Sequence, residues 1–177
     1  MNRVRRLTAV AIPIISLMAL GTTATGPSAG AAEGTTCTFD DVVVASPGLT
    51  TSGSSGTVQS EKDGKAACDG PVNGKQPTGP GTYSFKGTYG AKDPDTCQNG
   101  GEGEGVASWA IPVSDGVEKF QVKLTYTYGA FKAGAPFSGE FKGDKMSGTF
   151  DVQPIDGDCA SKPVTKFSVK GKGTLAG

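Results

Sequence analysis

From Thr82 to Leu175, large apolar residues recur at every second position, a spacing that suits an extended strand with one buried face and no helix. The clearest stretch puts Phe120, Val122, Leu124, Tyr126 and Tyr128 on one face and Gln121, Lys123, Thr125 and Thr127 on the other. The same period runs through Tyr83, Phe85, Gly87 and Tyr89, then through Ala107, Trp109, Ile111 and Val113. It continues in Phe137 and Phe141, in Met146, Phe150 and Val152, and in Phe167, Val169 and Leu175. Ser114-Asp115-Gly116 and Gly143-Asp144 are short turn signals between successive strands, which makes neighbouring strands antiparallel. The expected fold is all-β, a small antiparallel meander β-barrel. A β-sandwich is the alternative, but its Greek-key crossings need longer connections than these turns supply.

Upstream the pattern weakens. A strand is expected around Thr38 to Ala45, although Asp40-Asp41 breaks the alternation before Val42-Val43-Val44. Residues 46–80 are rich in Gly, Ser, Thr, Pro, Lys and Asp and nearly lack large apolar side chains. Such a stretch buries little surface, so it is expected to be an irregular loop with one short strand near Gly56 to Ser60. Cys68 would staple it.

Glycine is placed non-randomly. Gly87, Gly103, Gly105, Gly139, Gly148, Gly171 and Gly173 all share the phase of the large apolar residues beside them. Glycine weakens a strand interior, so its repetition on the inward face needs a reason. One reason is curvature with aromatic rings filling a tapering interior. The other is room for a ligand.

The first residues set the compartment. Met1-Asn2-Arg3-Val4-Arg5-Arg6 leads into an apolar run from Leu7 to Leu20 and then into Ala29-Gly30-Ala31, the order of a secretory signal peptide. That run, interrupted by Pro13, is shorter than the roughly 20 residues of a membrane-spanning helix, so no stable membrane anchor is expected. Arg5-Arg6 is followed by Leu7-Thr8-Ala9, a poor fit to a twin-arginine signal, which favours the general secretory route. Residues 1–31 are read as the leader and residues 32–177 as a single secreted, extracellular β domain. All three arginines fall in the leader, leaving 14 lysines against 17 acidic residues, a net charge of −3. That balance argues against nucleic-acid or anionic-membrane partners.

Cys37, Cys68, Cys97 and Cys159 form an even set in a chain bound for an oxidising compartment, so two disulfides are expected. Four cysteines allow three connectivities. We expect Cys37 with Cys68, tying the polar loop to the first strand, and Cys97 with Cys159, closing a long loop round the meander.

Candidate chemistry is sparse. The chain has no histidine, which removes the usual base for a serine nucleophile and the common zinc and iron ligand sets. Gly53-Ser54-Ser55-Gly56 is not a nucleophile elbow, and Gly101-Glu102-Gly103-Glu104-Gly105 lacks the lysine of a phosphate loop. Glu102 and Glu104 should point to solvent, away from the aromatic face. Asp93-Pro94-Asp95 and Asp156-Gly157-Asp158 would come together through a Cys97–Cys159 bridge, but they read as turn residues more readily than as a calcium site. No catalytic residue, metal ligand or cofactor is assigned.

The run Cys97-Gln98-Asn99-Gly100-Gly101, then Trp109-Ala110-Ile111-Pro112, and the closing Pro154-Ile155-Asp156-Gly157-Asp158-Cys159 resemble small secreted β proteins of Gram-positive soil bacteria. Some of these are labelled extracellular cholesterol esterase. The resemblance spans about residues 81–175 and implies a framework with no matching catalytic residue. The expected function is a secreted, non-catalytic binding module for an apolar small molecule, a lipid or an extracellular partner. Tyr83, Phe85, Trp109, Tyr126, Tyr128 and Phe150 are its candidate ligand-binding residues. A histidine-free lipid or sterol ester hydrolase and a structural protein with a filled core are the alternatives. Oligomeric state is not legible in the sequence.

Overall fold

The computed structural model describes residues 34–142 and 144–176; the expected leader and Gly143 of the second expected turn lie outside them. Nine strands follow in order: β1 (Thr35–Leu49), β2 (Gly56–Ser60), β3 (Gly64–Asp69), β4 (Gly81–Tyr89), β5 (Gly101–Val113), β6 (Gly116–Tyr128), β7 (Ala135–Phe141), β8 (Asp144–Asp156) and β9 (Val164–Leu175). No helix occurs among the described residues. From β4 to β9 each strand pairs antiparallel with the next, and β9 returns to pair with β1 along Thr35 to Val44. The sheet therefore closes into a ring. One closed sheet stands where a sandwich would need two facing ones.

β2 and β3 share one place in that ring, because both lie between β1 and β4. The register slips between them: Val43 faces Ser60, whereas Asp40 faces Lys65, so residues 61–63 bulge outward. Nine strands with two sharing a place make eight places. A ring of that size is just wide enough for its inward side chains to fill it or to enclose one small ligand.

The bulge accounts for the acidic break in the sequence. Asp41 occupies an inward position in phase with Cys37, Phe39 and Val43 and is 2 % exposed. Ser60 Oγ donates to Asp41 Oδ2 (2.5 Å), the Val42 N–H donates to Oδ1 (2.7 Å), and the Phe85 N–H donates to Ser60 Oγ (2.7 Å). The carboxylate thus anchors the bulge across three strands, and β1 runs through it for 15 residues instead of stopping at Ala45.

Residues 46–80 depart from expectation. The short strand at Gly56–Ser60 is present, but β3 follows it, so the stretch is not one irregular loop. Its side chains are small because the backbone pairs on both edges, with β1 and β4, and the place is filled by neighbours' rings. Ala66, 3 % exposed, is the one fully buried side chain of β3, and Cys68 packs against the same core.

Two clusters fill the interior. The lower one, around Cys37, Trp109, Ile111, Phe120 and Met146, is closed from below by Val72 in the 70–80 segment. Thr35 Oγ1 bonds the Pro71 carbonyl there, and Lys75 reaches Asp115 (3.0 Å) and Glu118 (2.9 Å). The upper cluster gathers Val43, Tyr89, Tyr128, Val152 and Phe167 beneath the loops that carry Cys97 and Cys159. Both disulfides have the expected partners, Cys37–Cys68 and Cys97–Cys159.

The inward glycines lie under aromatic rings. A Cβ on Gly105 would sit 2.5 Å from Phe85 Cζ, and one on Gly171 would sit 2.5 Å from Phe39 Cζ. Phe137 covers Gly148 and Gly173 in the same way, each with 2.7 Å to Cζ, and Tyr126 covers Gly103. The rings occupy most of the space that the missing side chains release.

Candidate functional site

What remains between the two clusters is an apolar cavity of about 90 Å³ at mid-height in the ring. Tyr83, Phe85, Trp109, Tyr126, Tyr128 and Phe150, named from the strand phase alone, all line it, drawn from β4, β5, β6 and β8. They form a connected aromatic wall: Tyr83 meets Trp109 edge-on at 4.9 Å, Phe85 meets Tyr126 at 5.7 Å, and Tyr126 meets Phe150 at 6.1 Å between centroids. Such edge-to-face pairs add to area burial and hold the wall rigid.

Sequence reasoning did not name Phe39, Tyr89, Phe137 and Phe167, the other aromatic residues of the lining. Phe39 stacks on Tyr83 at 4.6 Å, and its inward phase was legible from Cys37 two residues earlier. Tyr89 closes the β4 alternation, and only the curl of the sheet brings it over the cavity.

Three of the four tyrosine hydroxyls on this wall are spent on the protein. Tyr126 donates to the Thr88 carbonyl (3.0 Å), Tyr128 donates to Asp95 Oδ2 (3.0 Å), and Tyr89 donates to the Pro47 carbonyl. Burial pushes the phenols of Tyr83, Tyr126 and Tyr128 well above their ordinary value, with nearby carboxylate charge adding to the shift. Tyr89 is raised for the same first reason. Trp109 Nε1 has no hydrogen-bond partner among the described residues, but it is sealed from the cavity surface. The cavity therefore offers hydrocarbon to hydrocarbon and almost nothing else.

Above it sits a polar cluster that the sequence did not reveal. Asp95, read as a surface turn residue, is turned inward and 1 % exposed. Its backbone pairs with Ser54, and its carboxylate lies against Gly101, where a Cβ would collide with Oδ1. Desolvation raises its pKa, opposed by the Tyr128 hydrogen bond. This group ties the 50–55 segment, the loop before β5 and the end of β6 into a roof.

The remaining carboxylates are engaged locally. Asp158 accepts from Ser161 Oγ and from the N–H groups of Ser161 and Lys162, which holds its pKa down to about 2. Asp156 takes Lys162 Nζ (2.5 Å) and Thr165 Oγ1 (3.2 Å). Glu102 and Glu104 face solvent, with Lys92 at 3.9 Å from Glu102. No group of three or more potential metal ligands occurs among the described residues. The Cys97–Cys159 bridge does join the two acidic loops, but Asp95 points into the roof and the turn around Asp158 closes on itself.

Comparison with known proteins finds no family model, no curated protein and no solved structure that matches this chain. Its chemistry has to be read from its own residues. Ser60 beside Asp41 is the nearest approach to a nucleophile and base. Yet Ser60 Oγ also accepts the Phe85 N–H, and the pair is built into the bulge of the wall. A second, wider concavity of about 780 Å³ lies on the outer face of β4 to β7. Ser108, Gln121 and Lys123 line it, and the Gln121–Ser108 hydrogen bond (3.1 Å) spans its floor.

Proposed function

We propose that the chain is a secreted, non-catalytic binding module that takes an apolar ligand into its interior. The observation that carries this reading is the cavity wall: a set of aromatic and aliphatic side chains in which the hydroxyls of Tyr89, Tyr126 and Tyr128 are already bonded to protein acceptors. Two disulfides agree with an oxidising compartment. Among the described residues no helix is long and apolar enough to cross a membrane.

The cavity bounds the affinity. Four to six carbons at roughly 0.8 kcal/mol per buried methylene give about 3 to 5 kcal/mol, a Kd between several millimolar and a few tenths of a millimolar. Titration with benzene or a short alkane, followed by NMR shifts of the Val58, Leu124 and Val152 methyls, should show saturable binding in that range. Shifts that never saturate, or none at all, would remove the reading.

The filled-core alternative is favoured by one observation, the rings lying on the inward glycines. The same titration decides against it if binding saturates. Short and long acyl esters should survive incubation with the disulfide-intact protein. Turnover that vanished on one conservative substitution would bring forward the hydrolase instead.

A further inference from the structure

Of the four tyrosines on the cavity wall, Tyr89, Tyr126 and Tyr128 have their hydroxyls bonded to the protein, and Tyr83 does not. Its ring is fixed by its neighbours, stacked on Phe39 at 4.6 Å and edge-on to Trp109 at 4.9 Å. The side chain points inward from β4 and is 5 % exposed, yet its oxygen has no hydrogen-bond partner among the described residues.

Unpartnered polar atoms that are also shut off from all accessible space belong to Ser54, Asp95 and Trp109 among the described residues. Tyr83 is not one of these, so its oxygen keeps accessible surface. For an inward side chain that lines the cavity, that surface is cavity surface. Burial first, then the nearby Asp41 charge and the Tyr126 phenol, push its ionisation up, so the group is a neutral phenol that donates. A water beside it would find few other partners on this apolar wall, against the roughly 3 that a buried water takes. The hydroxyl is therefore left with a donor's need that a ligand can meet, and an unmade hydrogen bond of this kind is costly.

We propose that Tyr83 is the specificity-determining contact of the cavity, and that its ligand is a compact, uncharged molecule with a hydrocarbon frame and one oxygen acceptor, a ketone or an alcohol, which accepts from the Tyr83 hydroxyl. This rests on the binding reading above. One acceptor fits because the other tyrosine hydroxyls are taken, so a second polar group would go unpaired. The ligand is uncharged because an ion would give up its hydration for a single hydrogen bond.

The test compares two ligands of one shape, cyclopentanone and methylenecyclopentane, which carry an oxygen and a methylene group at the same position. Both are titrated into wild type and Tyr83→Phe, a substitution that removes the hydroxyl and keeps the ring. Affinities are read from the Leu124 and Val152 methyl shifts, and the bond itself from the carbonyl carbon shift of isotope-labelled cyclopentanone extrapolated to saturation. Y83F should weaken cyclopentanone about two- to tenfold, the worth of one net hydrogen bond, and leave methylenecyclopentane unchanged or slightly tighter. The bound carbonyl should lie in the hydrogen-bonded range in wild type and move to its hydrocarbon-solvent position in Y83F. Equal weakening of both ligands, or a carbonyl shift that Y83F leaves in place, would overturn the proposal while the binding reading stands. A wild-type carbonyl already at the hydrocarbon position would do the same, whether or not the variant folds. If neither ligand saturates the wild type, the binding reading falls and the Tyr83 contact falls with it.

Discussion

Gly105→Ala puts one methyl group where the ring of Phe85 already lies. The new Cβ would stand 2.5 Å from Phe85 Cζ and 2.6 Å from the Lys86 carbonyl oxygen, against the roughly 3.5 to 4.0 Å at which carbon atoms pack. The ring has to retreat by about an ångström, which takes Phe85 off its rotamer at a cost of about 0.5 to 1.5 kcal/mol. The carbonyl belongs to the β4–β5 ladder and cannot retreat alone, so the total overpacking cost should be about 1 to 3 kcal/mol. Removing a glycine from a strand interior returns about 0.5 to 1 kcal/mol. The central values of these ranges leave a net destabilisation of about 1 kcal/mol, read as a lower urea midpoint at unchanged m. Gly79→Ala, with nothing within 4 Å and an ordinary φ, is the matched control and should be neutral or slightly stabilising. In F85A/G105A the ring part of the cost disappears, so the two substitutions should couple by about 0.5 to 1.5 kcal/mol. A neutral G105A would refute the reasoning, because it would mean that the interior has room for the methyl and that the Phe85 ring does not rest on the Gly105 backbone.

Other outcomes follow from the same structure. Removing Cys97–Cys159, which closes 62 residues, should cost about 4.3 kcal/mol by loop entropy, against about 3.7 kcal/mol for the 31-residue Cys37–Cys68 loop, so thermal unfolding of C97S/C159S should come first. Asp95 has a raised folded pKa, so the fold binds its proton more tightly than the unfolded chain does. Its penalty is therefore full above the raised value and is relieved as pH falls towards 3.8. Wild type should gain stability relative to Asp95→Asn on acidification through that window, and a pH-independent difference between them would count against the buried charge. All four tyrosines are raised by burial, so alkaline titration should show phenolate absorbance appearing in one cooperative step with unfolding. Gradual ionisation of a folded protein above the ordinary tyrosine range would contradict the sealed wall.

The strands from β4 to β9, the inward face and the six candidate wall residues were legible because a period of two is a local property: Phe120 to Tyr128 can bury one face in only one way. The disulfide partners were as expected, but the elements they join were not legible: Cys68 lies on β3 opposite Cys37 on β1, and Cys97–Cys159 joins two loops. Three things had no local signature. β3 is a strand because β1 and β4 flank it, so its residues 64–69 needed no large side chains to be recruited. Asp41 looked like a break in the alternation and Asp95 like a surface turn residue, and whether a carboxylate turns inward depends on donors far along the chain, Ser60 for one and Tyr128 for the other. The glycines gave their phase in the sequence but not their purpose. Only closure of the ring brought Phe85, Phe39, Phe137 and Tyr126 over them, and the volume left between those rings is a difference of large packed volumes that no single stretch of the chain encodes.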